Sequence, residues 1–306
     1  MHQPITYAYL ETTNYCNLNC SFCNRDVVVK KLHHMPLEKW KIVLDKLKDH
    51  PISEAKLMGL GEPFLHPKFS EICKMFKEYF PKAFLIVATN CQYKMNDNFK
   101  NSLKYIDLLY LSIDGYKESY EKFRPPSKWH KLINFLDSLK IVERYNCKIT
   151  CNYVVNRENV EDIVKIENLC KEYSLEELRL NIAQDWSEKK TLKDQESHLW
   201  GYSKEQIEYL KKNYSKNIKG KTPWSWSDCF WVKRGIYMTV EGNLKVCALN
   251  TDTDSLGNIF SDSPEVILNS NRMNQIRDGC SNNKPNPHCL NCSYKELSPL
   301  LEKLIG

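Results

Sequence analysis

"CNLNCSFC", residues 16–23, places three cysteines within eight positions, directly after a short apolar stretch. Disulfides do not account for it, because the loop is too tight and the number is odd. Metal ligation does. Three thiolates on one loop hold three irons of a [4Fe–4S] cluster and leave the fourth iron without a protein ligand. An open metal position is where a reactive ligand binds. A zinc site completed by His33 or His34 is the alternative that these residues leave open.

The rest of the chain bounds the possibilities. Its 306 residues are 42% hydrophobic and 27% charged, and no apolar run is long enough to cross a membrane. The start, "MHQPITYAYLETT", lacks the charged and apolar regions of a signal peptide, so a cytoplasmic, reducing location is expected. There, thirteen cysteines read as metal ligands more than as disulfides. The net charge of +6, from 44 basic and 38 acidic residues spread along the chain, describes a lysine-rich solvated surface. No membrane partner is expected, and a nucleic-acid partner is the lesser reading.

Short β-like runs alternate with amphipathic helical patterns up to about residue 183. The strand candidates are "TYAYLE", "EAKLMGL", "AFLIVAT", "DLLYLSI", "KITCNYVV" and "ELRLNIA". Helical stripes fall at Phe69, Ile72, Cys73 and Phe76, at Leu132, Ile133, Leu136 and Leu139, and at Ile163, Val164, Ile166 and Leu169. Pro36 and Pro67 stand where helix starts are expected. Six β/α units in series predict an α/β fold, a parallel sheet curled into a partial (β/α)6 TIM-like barrel with its chemistry at the strand C-termini. The expected divisions are a barrel over residues 1–190, a polar connector over 191–222 with a helix near 203–213, and a small C-terminal domain over 223–306.

The strand ends decide between the metal readings. The second strand runs into "MGLGEPFLHP", the third ends in "VATNCQ" and the fourth in "LSIDGYKESYEKFRPP". With Cys16-x3-Cys20-x-Phe22-Cys23 these stretches resemble the radical S-adenosylmethionine (SAM) enzymes, in order and spacing, over most of residues 7–182. The resemblance implies a [4Fe–4S] cluster on Cys16, Cys20 and Cys23, with SAM on the open iron and Phe22 at the aromatic position of the motif. It implies contacts to the methionine amino group from the turn Gly61, Glu62 and Pro63. Asn90 belongs to the family's "TNG", present here as "TNC" with Cys91 in place of glycine. Ser112, Asp114 and Arg124 match the "SiDG…R" stretch and imply contacts to the cofactor's ribose and carboxylate.

In the C-terminal segment Cys229, Gly242, Cys247 and the Cys289-x2-Cys292 pair resemble the auxiliary-cluster extension called SPASM, in its shortened twitch form. The resemblance implies a second [4Fe–4S] cluster on Cys229, Cys247, Cys289 and Cys292; a zinc knuckle on the same thiolates is the structural alternative. Cys280 is left over. Cys73, Cys147, Cys151 and Cys170 fall in helix or strand patterns and read as buried small apolar residues. Trp224, Trp226 and Trp231 flank Cys229 and read as packing around it.

The implied activity is hydrogen abstraction by a 5′-deoxyadenosyl radical, fed by an external low-potential donor such as flavodoxin or ferredoxin. The favoured outcome is oxidation of a secondary alcohol in a sugar or aminocyclitol, with the auxiliary cluster taking an electron. Epimerisation is the neighbouring outcome, for which Cys280 and then Cys91 are the expected hydrogen-donating catalytic thiols. Maturation of a ribosomal peptide is the third; it usually goes with a leader-binding domain, whereas the first strand here begins by residue 7. His66, Tyr116, Arg157 and Asp185 are further candidates at the barrel mouth.

Overall fold

A computed structural model of the chain describes residues 4–183, 201–220, 225–248, 255–290 and 292–305. Trp224 and Asp185, named above, lie outside them. In chain order the elements are β1 (Tyr7–Leu10), α1 (Arg25–Val28), α2 (Leu37–Leu47), β2 (Glu54–Lys56), α3 (Phe69–Tyr79), β3 (Phe84–Thr89), α4 (Asp97–Ser102), β4 (Leu108–Ser112), α5 (Glu118–Phe123), α6 (Trp129–Ile141), β5 (Lys148–Val155), α7 (Ile163–Glu172) and β6 (Leu178–Ile182). There follow α8 (Lys204–Tyr214), α9 (Phe230–Arg234), β7 (Gly235–Met238), β8 (Asn243–Lys245), β9 (Gly257–Asn258), α10 (Pro264–Leu268), α11 (Asn271–Ser281), α12 (Pro287–Leu290) and α13 (Ser293–Ile305).

The six expected strands form, all parallel and in sequential order, and the sheet continues into the C-terminal segment as β6-β5-β4-β3-β2-β1-β7-β8-β9. Alternate strand positions divide the two faces. Ala8, Leu10, Ala55, Leu85, Val87, Leu109, Leu111, Ile149, Cys151, Leu178 and Leu180 join the helix stripes in one apolar core. The other face curls inward. Lys56 on β2 and Arg179 on β6 are four strands apart, about 19 Å in a flat sheet. Yet Lys56 is lowered to about 8, by burial first and by the Arg179 charge second.

The helical stripes hold except at one position. Val164 is 45% exposed, and α7 packs through Ile163, Ile166, Leu169 and Cys170; at 100° per residue Val164 falls on the flank of that stripe. The second strand is also shorter than expected, ending at Lys56, because the chain from Gly59 onward turns to pack against the loop after β1. The connector helix appears as α8, opened by a reciprocal Ser203–Gln206 capping box. No helix among the described residues is long and apolar enough to cross a membrane.

Candidate active site at the strand ends

The loop carrying Cys16, Cys20 and Cys23 leaves β1, which sits between β2 and β7 in the sheet. It is fastened by three backbone bonds, one to the loop after β2 and two to the end of α5. Glu62 N donates to Tyr15 O (2.7 Å), Ser21 N to Phe123 O (3.0 Å) and Asn19 N to Pro125 O (2.6 Å). Gly61 is required for this approach: a Cβ there would stand 2.3 Å from Thr13 O and 2.8 Å from Tyr15 O. Burial pushes all three thiols up, Cys20 to about 12, and the thiols act electrostatically on one another. Arg124 opposes the rise at Cys20, and Arg25 helps to oppose it at Cys16 and Cys23.

Glu62 is wholly enclosed. Its Oε1 accepts from Thr89 Oγ1 (2.9 Å) and Phe64 N (3.3 Å), and its Oε2 from Asn90 N (2.7 Å). Burial nevertheless raises it to about 7. The carboxylate thus ties the end of β2 to the end of β3. Pro63 opens the short turn of helix that follows. Asn90 carries the chain of contacts on to the cysteine loop, its Nδ2 donating to Asn17 Oδ1 (2.8 Å) and standing 3.7 Å from Cys16 Sγ. Cys91 has φ 60°, which explains why glycine suits this position, and its thiol is fully buried in the core beneath the strand ends.

Asp114 and Arg124 form a buried ion pair, with Arg124 Nε 2.5 Å from Asp114 Oδ2, while Val154 N donates to Oδ1 (2.6 Å). The same guanidinium extends NH1 to 3.8 Å from Cys20 Sγ and lies 5.5 Å over the Phe22 ring. Burial works against its charge, but Asp114 holds Arg124 firmly protonated. Ser112, half-buried at the end of β4, has no side-chain partner among the described residues.

Of the other barrel-mouth candidates, His66 and Tyr116 have partners of their own. His66 is buried, its Nε2 donating to Met35 O (2.8 Å) and its Nδ1 accepting from Lys68 N (3.0 Å). Tyr116 packs on Trp129, ring centroids 4.9 Å apart. The Arg157 carbonyl receives Gln206 Nε2. His34 stacks on Tyr15 at 4.3 Å and shares a hydrogen with Thr13 Oγ1 (2.8 Å).

Sequence reasoning did not find Glu11, Asn14 and Asn17. Buried Glu11 accepts from Leu60 N (2.6 Å) and Val240 N (3.1 Å), joining the β2 loop to the β7–β8 turn. Asn14 Oδ1 accepts from His33 N (2.6 Å), and Asn17 Nδ2 donates to Gln92 O (2.8 Å). The available signal was their position: polar residues that interrupt the apolar run into a cysteine loop.

Ahead of β7, the strand next to β1, the C-terminal cysteines gather. Cys229, Cys280 and Cys289 pack with Val232, Val246, Met273, Ile276 and Trp226 in a second small core. Cys229 is raised to about 11 by burial, against N–H donors at Val232 and Trp231, and it feels Cys280 and Cys292. Cys289 packs in this core with Cys280, which pushes its thiol up, as do burial and the neighbouring Cys247 and Cys229. Trp231 is nearly buried over Tyr7 and Tyr9. Among the described residues, no three His, Cys, Asp or Glu side chains are placed to hold a metal ion. A four-iron cube takes one thiolate at each of several irons, and the thiols of both sets, half-buried except for the exposed Cys23, are soft donors of the kind such a cluster takes.

The family model of the radical SAM superfamily matches residues 10–170, more than half of the chain. The chain belongs to the radical SAM superfamily. A second model, SPASM, an iron–sulfur cluster-binding domain, matches residues 229–293. This radical SAM chain is 23% identical over 276 residues to AlbA of Bacillus subtilis (strain 168), named for antilisterial bacteriocin subtilosin biosynthesis. That match takes in 86% of the chain and 59% of AlbA. The sporulation killing factor maturation protein SkfB of the same strain is 24% identical over 173 residues, 53% of the chain and 38% of SkfB. The chain thus spans less than two thirds of either relative. Among solved structures, SuiB of Streptococcus suis bound to precursor peptide SuiA superposes with a TM-score of 0.70 at 16% identity, covering 96% of this chain and 71% of SuiB. BtrN in complex with AdoMet and 2-DOIA gives 0.59 at 13% identity, covering 96% and 93%. These structures share the radical SAM fold with it.

Proposed function

We propose that this radical SAM enzyme oxidises a secondary alcohol of a sugar-like or aminocyclitol substrate. Cys16, Cys20 and Cys23 hold one [4Fe–4S] cluster with SAM on its open iron, and the C-terminal thiols hold a second. The observation that carries the substrate class is the inward face of the half-barrel. There Lys56 Nζ lies 5.8 Å from the Tyr7 and Tyr9 rings, and Arg179 Cζ lies 5.4 Å from the Tyr110 ring. Asn181 Nδ2 donates to Asn152 Oδ1 (2.7 Å) on the same face. Such a lining of phenols, amides and cations suits a small polar molecule better than an apolar one.

When bound, cluster and cofactor supply a 5′-deoxyadenosyl radical able to take hydrogen from an unactivated C–H bond. The chain's residues prepare the place. Arg124, fixed by Asp114, sets a permanent cation beside Cys20 and favours its thiolate. Asn90 directs an amide N–H toward Cys16 Sγ, a contact that tunes a cluster's potential. Ser112 keeps its hydroxyl for the cofactor, and the Gly61–Pro63 turn presents backbone close to the cysteine loop. An epimerase would need a thiol beside the substrate. The placement of Cys91 in the core and of Cys280 against Cys289 favours oxidation.

Peptide maturation is the second reading, supported by the names of AlbA and SkfB and by the precursor peptide bound to SuiB. The two are separated by measuring 5′-deoxyadenosine formation with reduced enzyme, SAM and either aminocyclitols and sugars or short peptides. Acceleration by a polyol that itself loses two hydrogens is expected. Acceleration by peptides alone would overturn the oxidation reading in favour of maturation.

A further inference from the structure

Two cations on the inward face of the half-barrel have no anion to answer them. Ala55 on β2, and Leu178 and Leu180 on β6, point to the helix side, so Lys56 and Arg179 between them point inward. Register places Lys56 beside Tyr9 of β1, and Arg179 beside Asn152, which stands beside Ser112. Both side chains are half-buried. Lys56 Nζ lies 5.8 Å from the Tyr7 ring and from the Tyr9 ring, and Arg179 Cζ lies 5.4 Å from the Tyr110 ring. Neither cation makes a hydrogen bond or ion pair with any described residue, and Glu54, two positions before Lys56 on the same face, pairs with neither. Arg124 is the contrast, since its buried guanidinium is bound to Asp114. A ring face stabilises a cation by about 0.5–2 kcal/mol but gives its N–H donors no acceptor. A cation withdrawn from water without such an acceptor is destabilising until an anion joins it.

We propose that Lys56 and Arg179 bind an anionic group of the substrate, a carboxylate or a phosphate, and so select an acidic sugar or sugar phosphate over a neutral one. The inference deepens the reading of the inward face as the substrate site and rests on it. The planar fork of Arg179 suits two oxygens of one carboxylate or phosphate, while Lys56 supplies a compact charge on a flexible stem. Burial first and the Arg179 charge second push Lys56 down to about 8. An anion seated beside it opposes both effects and restores its charge.

The test begins with reconstituted, unreduced enzyme saturated with SAM, so that the cofactor's own carboxylate is already in place. Inorganic phosphate is titrated in by calorimetry at constant ionic strength, with circular dichroism as the control for folding. The wild type should bind phosphate saturably, and Lys56→Met and Arg179→Met should each bind it about tenfold more weakly. Lys56→Arg, which keeps the charge, should retain most of the affinity. No saturation in the wild type, or wild-type affinity in either folded Met variant, would overturn the anion site. After reduction, 5′-deoxyadenosine formation is compared with glucose, glucuronate and glucose-6-phosphate. An anionic sugar should accelerate it more than glucose does, glucuronate pointing to a carboxylate and the phosphate ester to a phosphate, and Lys56→Met should erase the preference. Equal acceleration by glucose would overturn the selectivity and leave the alcohol reading standing. Phosphate binding combined with acceleration by acidic peptides alone would leave the anion site standing and overturn the alcohol reading.

Discussion

At Cys91 the backbone adopts φ 60° while the thiol is wholly buried among apolar side chains. The left-handed conformation costs a residue with a Cβ about 1 kcal/mol, and in ordinary backbone an Ala to Gly change costs about 0.5–1 kcal/mol in the other direction. Cys91→Gly should therefore be at least as stable as Cys91→Ala in denaturant unfolding; a clearly less stable glycine variant would show that the strain is not felt. Glu62 offers a pH test. Its folded pKa, raised to about 7 by burial, lies above the value of about 4.3 for an unfolded glutamate. Between these values the folded state binds the extra proton, so stability is fully present at low pH and is lost as pH rises through 7. Metal-free protein should have a lower denaturant midpoint at pH 8 than at pH 5.5, and Glu62→Gln should remove part of that difference. An identical pH dependence in the variant would mean that Glu62 titrates normally.

At the scale of elements, the strands and helices were legible because each carries its own period. The ends of those strands were legible because cysteine, glycine and proline are rare enough to mark a loop. What holds the loops together was not. Asn17 reaches Gln92 across 75 residues and Glu11 reaches Val240 across 229, through ordinary polar side chains that no local pattern distinguishes. Arg124 and Asp114 were visible as motif residues, but their pairing with each other, and the reach of Arg124 to Cys20, needed the fold. These cross-loop bonds lead to a prediction about order. Asn90→Ala removes an amide that holds both Asn17 and the approach to Cys16. Hydrogen exchange over residues 16–23 of the metal-free protein should then quicken, while that of β3 and β4 stays slow. Unchanged protection of the loop would show that the backbone bonds alone hold it.

For the whole molecule, the break in periodicity after about residue 183 suggested a separate unit, yet the sheet does not stop there. β7 lies parallel to β1 in register from Tyr7↔Gly235 to Leu10↔Met238, and Glu11 at the end of β1 bonds to Val240 beyond β7. That parallel pairing was illegible because β7 is four residues long and 225 or more from its partner, with no helical repeat beside it to announce another β/α unit. One consequence is that the two cysteine sets are held by adjoining strands of a single sheet: Cys16–Cys23 follows β1, and Cys229 precedes β7 by way of α9. The central claim is that these are two cluster sites, with the first cleaving SAM. It is tested most directly by reconstituting wild-type protein and the Cys16→Ala, Cys20→Ala, Cys23→Ala variant anaerobically, then measuring iron and 5′-deoxyadenosine. The account predicts about eight irons and cofactor cleavage in the wild type, against about four irons and no cleavage in the variant. Formation of 5′-deoxyadenosine by the variant would contradict it.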